Sequence, residues 1–174
     1  MVVVAPELDR VATANIGSGT VTIVDTEEAR VISHVPTGAG AEGIDLLPDG
    51  RHALVTNRDA GTLTEVDLRR GRVTRSLAVG EVPIRVRAWG AGRRALVSDA
   101  GGNEIADIDL EAWRVERRLE VGAVPVGILV TPDERWAYVA NTRDDRVTVV
   151  DLAAWSVAGE VVAGDEPDGM AWVR

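Results

Sequence analysis

Residues 136–167 read WAYVANTRDDRVTVVDLAAWSVAGEVVAGDEP. Three short runs stand out, Trp136–Ala140, Val147–Val150 and Val157–Val162. They are rich in β-branched residues and alternate with period two, the signature of half-buried strands. Turn formers separate them, Asn141 to Asp145 and then Asp151 to Ala154. A helix would need apolar residues three and four apart, and these runs are too short for that. Upstream, Gly127–Val130 ends at Pro132-Asp133 and adds a fourth strand.

The unit recurs at a spacing of 42 residues without a gap. Asp25, Asp67, Asp109 and Asp151 each close a third strand, where the carboxylate can accept backbone N–H bonds and hold the following turn. Gly38, Gly80, Gly122 and Gly164 follow the fourth strands. Asn15, Asn57, Asp99 and Asn141 close the second strands. Pro83, Pro125 and Pro167 mark the linkers, with Ala41 in their place in the first copy. Four strands per repeat of about 40 residues is the pattern of a β-propeller blade. The fold class is therefore all-β: four consecutive four-stranded blades, about 1–37, 43–79, 85–121 and 127–163. Residues 169–173 align with 1–5 and read as the first, innermost strand of a fifth blade. The chain forms one propeller domain or part of one. Because blades bury one another's faces, an open arc predicts association with a second copy or with further blades.

Composition narrows the partners. The 174 residues carry a net charge of −9, which disfavours nucleic acid and anionic membranes. No apolar run approaches the roughly 20 residues of a membrane helix. The opening Met-Val-Val-Val has neither the length nor the basic flank of a signal peptide. Cysteine is absent, which removes disulfides, thiol nucleophiles and cysteine metal sites. All nineteen basic residues are arginine.

Tyr138-Val139-Ala140-Asn141, the run Arg146–Asp151 and Gly164-x-x-Pro167-x-Gly169 resemble the YVTN β-propeller repeat, and the resemblance covers essentially the whole chain. Such repeats occur in surface-layer and other secreted proteins, so the resemblance implies an extracytoplasmic, periplasmic or cell-surface setting. Related propellers serve as lactonases and as scaffolds of redox enzymes. Two departures stand out. Ile84-Arg85 replaces the x-Gly of the crossover, and Glu65 and Asp107 occupy a column held by Ile23 and Val149.

His34 and His52 are the only histidines and do not recur, so they read as strand-surface residues. Asn141, Asp144 and Asp145 form the best local candidate for a calcium loop, but full calcium-loop spacing is missing and the segment reads as a polar turn. Neither a metal nor a cofactor is called for. No nucleophile elbow, P-loop or dinucleotide fingerprint is present. Asp45, Glu65, Arg87 and Asp107 form a charged set on inner and third strands, read either as a structural ion network or as a polar ligand site near the axis. Trp113 and Trp155 share one turn position and read as aromatic caps, with a sugar-binding role as the alternative; Trp89, Trp136 and Trp172 read as packing residues.

Propellers bind at the axis mouth, on the face of the crossovers and the turns between second and third strands. Here those are residues 38–43, 80–85, 122–127 and 164–169 with turns 15–19, 57–61, 99–104 and 141–146. Glu42, Arg58, Arg85, Asp144 and Asp168 are the expected contacts for a protein or small polar ligand. The reading is a non-catalytic binding or structural module. The alternative is part of a lactonase-like enzyme or a redox scaffold, which would need a ligand set this sequence does not assemble.

Overall fold

The computed structural model describes residues 1–173. Sixteen strands form four antiparallel sheets, each built from four strands consecutive in sequence. The first blade holds β1 (Val2–Ala5), β2 (Arg10–Asn15), β3 (Thr20–Asp25) and β4 (Arg30–Pro36). The second holds β5 (Ala41–Leu46), β6 (His52–Asn57), β7 (Thr62–Asp67) and β8 (Arg72–Ala78). The third holds β9 (Pro83–Trp89), β10 (Arg94–Asp99), β11 (Glu104–Asp109) and β12 (Arg114–Glu120). The fourth holds β13 (Pro125–Val130), β14 (Trp136–Asn141), β15 (Arg146–Asp151) and β16 (Ser156–Val162). A single 3-10 turn, Pro6–Leu8, interrupts the first blade. Innermost strands line up: β1 lies against β5, β5 against β9 and β9 against β13.

The repeating columns fix the turns. The Oδ1 of Asp67 accepts the N–H groups of Arg69 and Arg70, each at 3.0 Å. Asp25, Asp109 and Asp151 do the same for the two amides that follow each of them. The carboxylate thus satisfies amides that the ladder leaves free. Asn57 donates from Nδ2 to Thr62 and Thr64, and Asn141 to Thr148, tying second strand to third. The third blade has Asp99 and Ala106 in these columns, and Asp99 instead accepts the crossover N–H groups of Glu81 and Val82.

Between blades lie three apolar cores. Ala12, Val21 and Ile23 of the first blade meet Ile44, Ala53, Val55 and Val66 of the second. Leu54 and Leu63 meet Ala95, Val97 and Ile108 across the next interface, and Leu96 and Ile105 meet Ala137, Val139 and Val150 across the third. The second and third strands of the two middle blades therefore bury one face toward the blade before and the other toward the blade after.

Hydroxyl groups stitch the blades where the inner ladders of the second and third blades slip register. Thr56 Oγ1 accepts the Gly43 N–H at 2.9 Å and donates to the Ile84 carbonyl of the next blade at 2.7 Å. Ser98 repeats this with the Arg85 N–H and the Val126 carbonyl. Gly43 is required here, because a Cβ would collide with the Ile84 carbonyl and Thr56 Oγ1.

Residues 169–173, expected as an innermost strand, lie where that strand belongs but carry no ladder. A Cβ on Gly127 would collide with the Asp168 carbonyl, as one on Gly43 would with that of Ile84, two repeats earlier. The segment thus enters the lane of a next blade. Among the described residues no second strand lies beside it to pair with, so it stays irregular.

Candidate functional site

The crossovers and the turns between second and third strands share one end of the arc. Each crossover is bonded to the turn of the blade it enters: Arg58 N–H to the Gly40 carbonyl, Ala100 to Val82 and Thr142 to Val124. On this face four of the five expected contact residues form one chain of charges. Arg58 reaches Glu42 at 3.4 Å, Glu42 approaches Arg85 at 3.8 Å, and Arg85 donates from Nη2 to both oxygens of Asp168 at 2.9 and 3.2 Å. The last pair joins residues 83 positions apart in sequence. Arg85 reaches across the mouth because its column lies at the axis, where the second and fourth copies have Gly43 and Gly127, the closing segment has Gly169 and the first copy has Met1. Asp144 does not join them; its carboxylate accepts the Ala123 N–H and pins its own crossover.

Behind this chain lies an axial groove of about 220 Å³, lined by Ile44, Asp45, Arg87, Gly127 and Leu129 among others. Arg87 pairs with Asp45 at 3.3 Å, and Asp45 also accepts the Ala88 N–H at 2.8 Å. Burial pushes the Asp45 carboxyl above its usual range, and those two donors offset only part of the rise. The groove therefore offers two guanidinium groups and two carboxylates beside an apolar wall. It suits a polar ligand of mixed charge rather than a simple anion or cation.

Glu65 and Asp107 do not join Asp45 and Arg87, so the four charges expected as one set fall into three separate clusters. Glu65 accepts from Arg75 at 2.7 Å and from Thr74 at 2.6 Å. Burial works to raise its carboxyl, but these hydrogen bonds outweigh it and hold it below its ordinary value. Asp107 is fully buried and accepts from Arg94 at 2.6 Å, Arg117 at 2.9 Å and Trp89 Nε1 at 3.2 Å. These carboxylates lie on third strands, two strands out from the axis, and do not line the axial groove.

Their arginines reach the next blade. Arg75 stacks over Trp113 with 4.0 Å to the ring centre, and Arg117 stacks over Trp155 at 4.1 Å. Both tryptophans hold a left-handed backbone, φ 53° in each case, which a bulky side chain rarely adopts without compensation. They cap the arginine of the preceding blade. Isolated residues did not reveal this. The signal was columnar: 65, 75 and 113 step by 42 to 107, 117 and 155. Trp172, expected within a strand, is half exposed in the irregular segment.

His34 bonds Thr22 at 2.9 Å and His52 bonds Asp49 at 2.6 Å, both on the surface. Asp145 is committed to the Glu166 N–H, as Asp144 is to that of Ala123. Among the described residues no group of three or more His, Asp or Glu side chains comes together in a metal-ligating arrangement.

No family model matches the chain, and no curated protein matches it. Solved structures do. A chain of Kuenenia stuttgartiensis hydrazine synthase is 22% identical, with a TM-score of 0.82 over 88% of this chain and 46% of its own length. A protein of unknown function from Desulfotomaculum acetoxidans is 13% identical, with a TM-score of 0.83 over 97% of this chain and 57% of its own. At these identities the likeness is one of fold, and it is a propeller fold. The chain spans about half the length of the structures it matches.

Proposed function

We propose that the chain is a non-catalytic recognition module, a β-propeller segment of the YVTN-repeat kind that takes a protein segment of mixed charge at its crossover mouth. The repeat membership rests on Tyr138–Asn141, Arg146–Asp151 and the Gly164/Pro167/Gly169 spacing. The observation that carries the function is the chain Arg58–Glu42–Arg85–Asp168, which brings two blades and the segment after β16 to one point beside the groove. These side chains are half-exposed or less save Asp168, and each is already oriented by an opposite charge, so little ordering entropy is spent on binding. A peptide carrying both charge signs can exchange its own groups for these pairs while its apolar side chains meet Ile44 and Leu129.

The test is selection from a displayed random peptide library on the immobilised chain, followed by affinity measurement on Arg85→Ala and Asp168→Ala. Enriched peptides of mixed charge that weaken about tenfold or more on Arg85→Ala support the reading. No enrichment, or enriched peptides indifferent to both substitutions, refutes it.

A further inference from the structure

Among the described residues, the two ends of the arc carry blade faces without a blade against them. On the first blade, Val11 and Val24 are partly exposed and Val2 and Val4 more than half exposed. The same columns as Val11 and Val24 in the later blades, Ala53, Ala95 and Ala137, then Val66, Ile108 and Val150, are fully buried. On the fourth blade, Tyr138 and Val147 are partly exposed, whereas Leu54, Leu96, Leu63 and Ile105 in their columns are fully buried. Both surfaces are built as blade interfaces.

The three internal interfaces obey a rule of size and charge. Where a blade offers Glu65 and Arg75, the next blade's turn presents Trp113; where it offers Asp107 and Arg117, the next presents Trp155. Where the first blade offers Ile23 and Ser33, the second presents Gly71, and a Cβ there would meet Ser33 Oγ at 2.9 Å. The fourth blade offers Val149 and Gly159, with open space in front of Gly159. By the rule it needs an uncharged blade with a small turn residue. The first blade has Ala29 at that position, already at φ 50°. Serine facing glycine at the first interface becomes glycine facing alanine, so the volumes match. A second pair of departures agrees. Tyr138 places a phenol in a column that is otherwise Ala or Leu, and the first blade has Thr13 where the others have Val55, Val97 and Val139. A buried phenol needs such a partner.

We propose that two copies of this chain close one ring, the fourth blade of each packing its free face on the first blade of the other. A head-to-tail contact closes after two copies when each spans half the circle, and four blades are half of an eight-bladed ring, within the usual range for propellers. Residues 169–173 occupy the lane that β1 of the second copy takes, and they give it up because they hold no ladder. The ring has a two-fold axis, so the charge chain at the crossover mouth appears twice around it.

The experiment is light scattering on the purified chain across a dilution series, with Ala29→Trp, Tyr138→Arg and a chain ending at Asp168. A species of twice the 18.5 kDa chain mass is expected. Ala29→Trp sets an indole against Val149 and Gly159 with no arginine to stack on, and raises the dissociation constant about tenfold or more. It leaves the fold intact, because Trp113 and Trp155 hold the same backbone; an unchanged far-ultraviolet circular dichroism spectrum checks this. Tyr138→Arg weakens association comparably, and ending the chain at Asp168 leaves it undiminished. A monomer at every concentration, open-ended polymers, a mass insensitive to Ala29→Trp, or loss of the dimer on truncation each overturns the proposal.

Discussion

Replacing Asp107 by alanine removes the acceptor that Arg94, Arg117 and the Trp89 indole share. Asp107 is fully buried, while the side chains of Arg94 and Arg117 retain 27% and 31% of their exposure. Breaking a fully buried ion pair from one side costs about 3–5 kcal/mol. Solvent reaching both guanidinium groups lowers that to about 2–4 kcal/mol. With a urea dependence of about 2 kcal/mol per molar, the unfolding midpoint falls by about 1–2 M. The first interface shows how to do without the carboxylate. There Arg10 occupies the column of Arg94 and donates to the Leu68 and Arg69 carbonyls of the next blade, beside Ile23, Ser33 and Gly71. Combining Asp107→Ile, Arg117→Ser and Trp155→Gly copies that arrangement into the third interface. The triple variant returns to within about 1.5 kcal/mol of the parent, because strongly coupled sites do not add. Equilibrium urea unfolding followed by tryptophan fluorescence and circular dichroism measures both variants. If Asp107→Ala costs less than about 1 kcal/mol, or if the triple variant is no more stable than the single one, the interface rule is wrong.

Two further outcomes follow from the same geometry. The Asp67 carboxyl is held well below the usual carboxylate range, first by the Arg51 guanidinium at 2.6 Å and then by the N–H groups of Arg70 and Arg69. A depressed folded value adds stability that is complete above the unfolded value of about 3.9 and is lost as pH falls below it toward the folded one. Asp67→Asn is therefore less stable than the parent at pH 7 and loses less on going to pH 3, and urea midpoints at the two pH values read the difference. Thr56→Val deprives the Gly43 N–H and the Ile84 carbonyl of their shared hydroxyl. It lowers stability by about 1–3 kcal/mol, and hydrogen exchange at the Gly43 amide rises with it.

The 42-residue period by itself determined the fold class, the strands of the fourth blade to within a residue or two, and the turn chemistry, but not that residues 169–173 stay irregular. Strand alternation and Asx turns are local: Asp67 needs only the two amides after it, so reading along the chain is enough. Of the charged residues, the sequence placed Glu42, Arg58, Arg85 and Asp168 on one face because crossovers and turns recur at fixed positions. That they link in one chain only the tertiary structure decided, since Arg85 and Asp168 meet across 83 residues through the convergence of innermost strands on the axis. It also split Glu65 and Asp107 away from Arg87. A strand's alternation says which face a side chain takes but not how far from the axis it stands, and that radius decides which arginine it meets. The partnership of Arg75 with Trp113 and of Arg117 with Trp155 is likewise a property of one blade laid on the next, where the spacing between columns becomes a contact only once two sheets stack.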